Sequence, residues 1–382
     1  MKTTYIKEEH EILRRSLRKF LDKQAYPHFD TWEKNGEIPR TFWRKLGEQG
    51  YLCPWLEEKY GGFGADFGYS VVINEELEKV GTGTIGIGLH NDIVVPYLHE
   101  YGTTEQKERW LPQCTTGEAI TAIAMTEPGA GSDLASIRTS ARLDGDHYIV
   151  NGEKTFITNG IHADLVVIVC KTDPSAVPAH KGISLLVVEK DTPGFSRGKK
   201  LDKVGLHSQD TAELIFDEAK VPKENLLGME GQGFYYLMNQ LQQERLIVGI
   251  GALTSCQRMI DLTVKYVKER QAFGKTIGSF QNTQFTLVEL QTEVEIGRAF
   301  LDRTIEAHMK GEEVVNEVLM AKWWTTDLVK KVALECMHLH GGYGYMEEYE
   351  IARRFRDAPV TAIYAGSNEI MKSIIAKNMG LG

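Results

Sequence analysis

The amino-acid sequence predicts an α+β multidomain protein with a helical N-terminal domain (residues 1–120), a middle β-barrel or β-sheet domain (121–230) and an antiparallel helical bundle (231–382). Three observations predict this order. Apolar residues recur at helical spacing in the first third of the chain, short apolar or alternating runs follow, and the helical period returns after Gly231. A chain of 382 residues has room for about two or three domains of ~150 residues each.

The N-terminal domain is predicted to consist of amphipathic helices. In the first of them, Leu13, Leu17 and Leu21 recur four residues apart and therefore share one face. Thr103 or Thr104 is predicted to cap the last one, because a threonine side chain can accept a hydrogen bond from a free backbone N–H there. The predicted helices cover residues 7–23, 41–49, 71–80 and 104–111.

The middle domain is predicted from short strands separated by turn signals. The turn signals are Asp144-Gly145, Asn151-Gly152 and Asn159-Gly160. The predicted strands are residues 120–125, 148–150, 165–169, 183–188 and 212–216. Beyond them, apolar stripes with charges on the opposite face predict long helices, a pattern typical of an antiparallel bundle. These helices are expected near residues 233–270, 282–309 and 313–339.

The composition excludes several classes of protein. The net charge of −9 argues against a nucleic-acid-binding protein, which needs a basic patch. No apolar run approaches the ~20 residues of a membrane span, and the charged N-terminus lacks the apolar core of a signal peptide. Five cysteines are scattered without a C-x-x-C pair, which predicts neither a disulfide framework nor a zinc site and favours a cytoplasmic location.

Two short motifs are interpreted as structural. Gly81-Thr-Gly-Thr-Ile-Gly86 matches the G-x-G-x-x-G pattern of dinucleotide sites, but a helix rather than a strand is predicted before it. Glu335 and His338 form an E-x-x-H pair, whereas a di-iron bundle needs two such pairs and two further carboxylates. The sequence has no second E-x-x-H pair, so no metal site is predicted.

Two glycine-rich segments carry the strongest functional signal. In Ala124-Met-Thr-Glu-Pro-Gly-Ala-Gly-Ser-Asp-Leu-Ala-Ser136, a strand is predicted to lead into a turn whose successive N–H groups can bind an anion. The second segment is His338-Leu-His-Gly-Gly-Tyr-Gly-Tyr-Met-Glu-Glu-Tyr349. This pair resembles the two signatures of the acyl-CoA dehydrogenase flavoenzymes. The resemblance extends over essentially the whole chain, to Tyr364-Ala-Gly-Ser-Asn-Glu-Ile370, and implies a C-terminal four-helix bundle.

The resemblance implies FAD as the cofactor. In the family, the residue at the position of Phe156 covers the flavin ring and the residue at that of Thr158 bonds to flavin N5. His338 stands where the family usually has Gln, but imidazole can still donate a hydrogen bond. The cofactor positions implied by the resemblance are Met125, Thr126, Gly131, Ser132, Phe156, Thr158, Arg270, Phe273, Gln281, His338, Gly341, Gly342, Ser367 and Glu369.

The resemblance also implies an oligomer and redox partners. In the family, the residues equivalent to Arg270 and Phe273 reach the FAD of a neighbouring subunit, and Gln281 matches a further cofactor contact. We therefore expect a homotetramer built as a dimer of dimers. An acyl-CoA thioester is the implied substrate, and an electron-transferring flavoprotein is the implied electron acceptor, although oxygen is not excluded.

The position of the catalytic base is a departure from much of the family. Many relatives carry a catalytic Glu where this chain has Ala365, whereas the long-chain and isovaleryl branches place it on the first long C-terminal helix. This chain has Gln242-Gln-Glu-Arg-Leu246 there, and Glu244 continues an apolar stripe begun by Leu237 and Leu241. A carboxylate in apolar surroundings should have a raised pKa, which suits a general base. The alternative is an edge glutamate paired with a cation.

The predicted function is α,β-desaturation of an acyl-CoA thioester, most similar to the long-chain branch, within fatty acid β-oxidation. The α-proton would pass to Glu244 and the β-hydride to flavin N5, while the backbone N–H of Ala365 bonds the thioester oxygen. Alternatives are an isovaleryl-type substrate, a flavin oxidase and a catalytically silent acyl-CoA-binding protein. Substrate contacts are implied at Ser132, Gln242, Arg245, Tyr364, Ala365 and Gly366.

Overall fold

A computed structural model gives the structure of the chain and describes residues 3–381. Residues 8–116 are mainly helical, as predicted. Leu17 and Leu21 of α1 are buried in the N-terminal core, as their spacing requires. The helices are α1 (Glu8–Gln24), α2 (Phe29–Asn35), α3 (Arg40–Glu48), α4 (Phe67–Val80), α5 (Ile85–Gly88), α6 (Val95–Tyr101) and α7 (Thr104–Thr116).

Local signals explain two of these boundaries. Thr103 caps α7: its side chain accepts from the N–H of Gln106, whose own side chain returns a bond to the N–H of Thr103. The glycine motif at residues 81–86 follows helix α4 and not a strand, in agreement with its interpretation as a helix end. A π-helical turn, Leu89–Val94, joins α5 to α6 and was not predicted.

The middle domain is one eight-stranded sheet with the order β6-β7-β3-β2-β4-β5-β8, in which β1 adds to β4 in parallel. Its inward-facing side chains form a separate apolar cluster that includes Val150, Ile168 and Leu214. The strands are β1 (Thr121–Ala124), β2 (Ser140–Asp144), β3 (His147–Thr158), β4 (Leu165–Lys171), β5 (Ile183–Glu189), β6 (Phe195–Lys200), β7 (Thr211–Pro222) and β8 (Leu226–Leu227).

One predicted turn is wrong. Asn151-Gly152 lies inside β3, where the pairing with β7 shifts register between Val150 and Gly152. The side chain of Asn151 bonds to both the backbone and the carboxylate of Glu218 at 2.9 and 2.6 Å, respectively. A side chain at Gly152 would place its Cβ 2.5 Å from Thr139 Oγ1. The Asn-Gly pair therefore makes a β-bulge.

The C-terminal part is helical, and α8, α9 and α10 share one apolar core that includes Leu253, Leu301 and Val329. Two-residue strands, β9 (Gln271–Ala272) and β10 (Lys275–Thr276), form a hairpin between α8 and α9. Among the described residues, no helix combines the length and apolar character that crossing a bilayer requires. The helices are α8 (Gly233–Glu269), α9 (Gln281–Met309), α10 (Val315–His340), α11 (Glu350–Asp357) and α12 (Asn368–Asn378).

Candidate active site

The loop that follows β1 is attached to the end of β3. The N–H of Thr155 donates to the carbonyl of Thr126 at 2.9 Å, and Lys154 Nζ donates to the carbonyl of Met125 at 3.0 Å. Met125 and Thr126 therefore lie beside Phe156 and Thr158, as the sequence analysis expected of a shared site. Phe156 has a left-handed backbone (φ 61°) and its side chain is 67% exposed. An aromatic ring is thus presented on the surface at the end of a strand.

A buried ion pair shapes this loop. Glu127 accepts from Lys154 Nζ at 2.8 Å and from the N–H groups of Arg138 and Thr139 at 2.6 and 3.0 Å. Burial favours a higher pKa for Glu127, but Lys154 and these donors hold the pKa below its usual value. At Gly131, an added Cβ would have no atom within 4 Å. The loop is therefore anchored at its base and open at its tip, where Ser132 is exposed.

The second glycine-rich segment forms a tight turn after α10. Gly341 is left-handed (φ 60°), and neither it nor Gly342 would bring an added Cβ within 4 Å of another atom. His338 is exposed on the last turn of α10. The guanidinium of Arg270, at the end of α8, lies 5.3 Å from the centre of the Tyr343 ring. The structure therefore places Arg270 beside the turn that contains both glycines.

The hairpin after α8 presents an exposed aromatic side chain. Phe273 is 94% exposed and has a left-handed backbone (φ 53°). Gln281 is exposed at the first position of α9. Ser367 caps α12 by accepting from the N–H of Ile370 at 3.5 Å, and Glu369 is exposed in the first turn of that helix.

Glu244 lies in α8 and is 4% exposed. Its Oε1 accepts a hydrogen bond of 2.8 Å from the hydroxyl of Tyr97, which is fully buried in α6. Burial raises the pKa of Glu244 to about 7, while the Tyr97 hydrogen bond and the charge of Arg245 act in the opposite direction. Leu237 and Val248 of the same stripe are also buried. The spacing thus correctly predicted a buried carboxyl group with a raised pKa.

A short 3₁₀ turn, Ala358–Ala362, is followed by a loop that leads into α12. This loop lies against Arg245, the residue after Glu244 in α8. A Cβ added to Gly366 would lie 4.0 Å from the guanidinium of Arg245. Burial lowers the pKa of Arg245, and its Nε has no hydrogen-bond partner among the described residues. Tyr364, Ala365 and Gly366 are half-buried, as is Gln242 on α8. Arg245 and Gly366 are therefore neighbours, as expected of two substrate positions.

The predicted residues fall into three groups within one chain. Phe156 and the loop after β1 form the first, Arg245 (which follows Glu244 in α8) with the 364–366 loop the second, and Arg270 with the turn at Gly341 the third. Within residues 3–381, no hydrogen bond or ion pair joins one group to another. A ligand that contacts several groups would therefore have to bridge them.

Three family models match successive parts of the chain. The N-terminal, middle and C-terminal domains of acyl-CoA dehydrogenase match residues 7–118, 122–219 and 231–380. The chain belongs to the acyl-CoA dehydrogenase family. It is an oxidoreductase that acts on CH–CH donors, and the family fold confirms the predicted order of helical, sheet and helical domains.

Individual relatives agree over nearly the full chain. The long-chain specific acyl-CoA dehydrogenase of Mus musculus is 48% identical over 97% of this chain and 86% of its own length. The isovaleryl-CoA dehydrogenase of Pongo abelii is 37% identical over 97% and 89%. An acyl-CoA dehydrogenase structure from Geobacillus kaustophilus is 67% identical, covers 99% of this chain and 100% of its own, and has a TM-score of 0.98.

FAD is the cofactor of this family, and the residues present fit it. A solved acyl-CoA dehydrogenase from Bacillus anthracis, complexed with FAD, is 30% identical with a TM-score of 0.92, covering 99% of this chain and 69% of that one. In this chain, the exposed Phe156 offers a flat apolar surface to a ring system. The open glycine turns at residues 129–131 and 341–342 leave room for a phosphate to approach the backbone.

Several residues of the site were not found from the sequence. Tyr97 gave no sequence signal, because it lies 147 residues from Glu244 in an apolar helix. Lys154 did give a sequence signal. It occupies a buried position of a strand, and a buried lysine requires a partner such as Glu127. The roles of the predicted site residues remain predictions, since contacts alone do not assign them.

Proposed function

We propose that this acyl-CoA dehydrogenase desaturates a long-chain acyl-CoA to its trans-2-enoyl-CoA, with Glu244 as the base. The observation that carries the proposal is the buried Glu244 carboxyl group, whose pKa is about 7, on the helix that faces the 364–366 loop. The position used for the base by many relatives holds Ala365, which cannot accept a proton. Glu244 is next to Arg245 in α8, and Arg245 lies against the 364–366 loop, so Glu244 is the proposed replacement for that base.

The chemistry needs a base for the α-proton and stabilisation of the thioester oxygen. A base with a pKa near the working pH combines a large ionised fraction with a useful affinity for the proton. When bound, FAD supplies the acceptor for the hydride that leaves Cβ. Glu244 takes the α-proton, and the apolar residues around it exclude water that would otherwise compete for the carboxylate.

The backbone N–H of Ala365 is the proposed donor to the thioester oxygen. Among residues 3–381, no acceptor takes this N–H, so it is free to bind a ligand. Ala365 has a left-handed backbone (φ 53°), which fixes the direction of its peptide groups. A fixed donor stabilises negative charge on the oxygen more effectively than mobile water does.

The cofactor would be held by the loop after β1 and by Phe156 and Thr158 against the ring system. Arg270, Phe273 and Gln281 are exposed and, as the family resemblance implies, would serve the FAD of a second subunit. The turn at Gly341 and Gly342 lies beside Arg270 and would contact the same cofactor. His338, Ser367 and Glu369 are the remaining proposed cofactor contacts, and Ser132, Gln242 and Arg245 the proposed acyl-CoA contacts.

We also propose that the protein is a homotetramer, a dimer of dimers. Helix α9 presents apolar side chains to solvent in one chain, at Phe285, Val288, Ile296 and Phe300. Contiguous exposed apolar surface of this kind is typical of a protein–protein interface. An electron-transferring flavoprotein is the proposed electron acceptor on the basis of the family resemblance.

Two further predictions stay proposals. Domain boundaries after residues 120 and 230 fall in the gaps between the matched family domains. A cytoplasmic location is supported by five free, buried cysteines, none of which is paired. The mouse relative, by contrast, is named as mitochondrial, so fractionation of the source cells is the appropriate measurement.

Anaerobic bleaching of the flavin by acyl-CoA tests both the proposed activity and the preferred acyl chain length of the substrate. We expect rapid bleaching, with kcat/KM larger for palmitoyl-CoA than for butyryl- or isovaleryl-CoA. A preference for either short substrate would contradict the long-chain assignment. Binding of acyl-CoA without bleaching would indicate a silent binding protein, and rapid peroxide release in air would indicate an oxidase.

A further inference from the structure

Lys322 of α10 is a fully buried lysine that the proposed reaction does not yet use. Its side chain is 0% exposed. Nζ donates to the carbonyl of Gly366 at 2.7 Å and to Asn368 Oδ1 at 3.1 Å. Among the residues that the structure describes, no carboxylate forms an ion pair with it. A lysine is almost never fully buried without a counter-charge, so this arrangement requires an explanation.

The acceptors of Lys322 lie in the loop that carries Ala365 and at the start of the helix that follows it. Asn368, the first residue of α12, also accepts from Thr326 Oγ1 at 3.0 Å. Its Nδ2 donates to the Trp323 carbonyl and to Asp327 Oδ1, both at 3.1 Å. One face of α10 therefore holds both the end of the loop and the start of α12.

The loop has a backbone that requires external support. Ala365 and Gly366 are consecutive left-handed residues, with φ values of 53° and 84°. A residue with a Cβ is disfavoured in this region and persists there only where surrounding contacts fix it. The bond from Lys322 to the Gly366 carbonyl is such a contact, and it acts on the residue directly after Ala365.

The charge of Lys322 distinguishes this contact from ordinary packing. Burial and the nearby charge of Arg245 lower the pKa of Lys322 to about 8, which still leaves the ammonium mostly protonated at neutral pH. A charged donor makes a stronger hydrogen bond than a neutral one. The loop is therefore restrained by one buried cation and lies against a second, Arg245.

We propose that Lys322 is a positioning residue for the desaturation: by holding the Gly366 carbonyl, it aims the N–H of Ala365 at the thioester oxygen. This inference rests on the proposed role of the Ala365 N–H. Lys322 does not touch the substrate in this scheme. It acts through the backbone of the loop, and a small displacement of the donor reduces stabilisation of the developing negative charge.

The test replaces Lys322 by methionine, which has a similar length and no charge. We expect Lys322→Met to slow anaerobic flavin reduction at saturating acyl-CoA by about 10- to 100-fold, with FAD retained and KM changed less than kcat. Lys331→Met is the matched control, because Lys331 is half-exposed on the same helix and pairs with Glu293. It should reduce its flavin at the wild-type rate.

A spectroscopic measurement separates positioning from general damage. Infrared difference spectra of bound enoyl-CoA, labelled with ¹³C at the thioester carbonyl, report the hydrogen bond to that oxygen. The wild type and Lys331→Met should lower the carbonyl frequency by the same amount, and Lys322→Met should lower it less. Lys322→Gln, which keeps a neutral donor, should give an intermediate frequency and rate.

Wild-type reduction rates and carbonyl frequencies in both Lys322 variants would overturn the inference while leaving the role of Glu244 intact. If Lys322→Met does not retain FAD, Lys322→Gln decides the question by the same two measurements. If no acyl-CoA reduces the flavin of the wild-type protein, the proposed function fails. The carbonyl frequency then tests Lys322 alone, and a wild-type frequency in the variant contradicts the inference.

Discussion

At the scale of single residues, the proposed reaction depends on the proton affinity of Glu244. We predict that Glu244→Gln lowers the rate of flavin reduction by about 10²–10⁴-fold, the usual cost of losing a general base. Gln keeps the size of the side chain and can still accept from Tyr97, so folding, FAD content and acyl-CoA binding should persist. Stopped-flow reduction under anaerobic conditions measures the rate, and reduction at the wild-type rate would remove Glu244 from the mechanism.

A double variant provides a control for that experiment. Glu244→Gln combined with Ala365→Glu moves the carboxylate to the position used by other relatives. Partial recovery of flavin reduction would place both positions around the same α-carbon. The left-handed backbone of Ala365 (φ 53°) limits the recovery that we expect, because it restricts how a longer side chain can be aimed.

The hydroxyl of Tyr97 should set the pH dependence of the reaction. Its hydrogen bond stabilises the ionised carboxylate and therefore lowers the pKa of Glu244 from the value that burial alone would give. The base is active only when ionised, so the reduction rate should rise with pH and be half-maximal near pH 7. In Tyr97→Phe the pKa of Glu244 rises, and the half-maximal pH should move upward by about one unit.

A pH series of single-turnover reduction rates checks this prediction. Tyr101→Phe is the matched control, since the Tyr101 ring lies 6.2 Å from that of Tyr97 and its hydroxyl does not bond to Glu244. The control should keep the wild-type profile. A Tyr97→Phe profile that coincides with the wild type would show that the hydroxyl does not tune the base.

At the scale of elements, sequence periodicity predicted the extent of individual helices and the face that each of them buries. Helix α8 was predicted within a residue of its ends, and its apolar stripe located Glu244, because 3.6-residue spacing is a property of one helix. Asn151-Gly152 was wrongly predicted as a turn. The reason lies outside that segment: Glu218 on the partner strand binds Asn151, and the nearby Thr139 leaves no room for a side chain at Gly152.

In the candidate site, too, features within one segment were predicted and contacts between distant segments were not. Phe156, the glycine turns and the departure at Ala365 could be recognised from the resemblance, because each is a local motif. The contacts of Tyr97 and Lys322 could not be predicted, since each acts on an element distant in sequence. Lys322 does interrupt the buried face of α10, but that pattern does not show which atoms it binds. The partners of Tyr97 and Lys322 are separated from them by 147 and 44 residues, and only the packed structure brings them together.

At the scale of the whole molecule, the proposed tetramer would cover apolar side chains that one chain leaves exposed. Phe273 is 94% exposed, so most of its aromatic surface contacts water in one chain. The apolar residues of α9 are exposed in the same domain. A single assembly that buries α9 and delivers Phe273 to a neighbouring FAD would account for both features.

This account predicts that FAD retention depends on assembly. Ile296→Glu places a charge on the apolar face of α9, where burial of a side chain such as Ile is worth about 1.5–3 kcal/mol. The variant should therefore dissociate at concentrations at least about tenfold higher than the wild type. We expect the smaller species to release FAD, measured as flavin fluorescence in parallel with mass by light scattering.

Two further variants separate assembly from cofactor contact. Val177→Glu makes the same charge change at an apolar residue that is 89% exposed and lies outside α9, so it should keep both the wild-type mass and its FAD. Phe273→Ala should keep the wild-type mass but bind FAD more weakly, because it removes the aromatic contact without altering α9. Since assembly precedes cofactor contact between subunits in this scheme, a monomer that retains FAD on dilution would contradict the proposal.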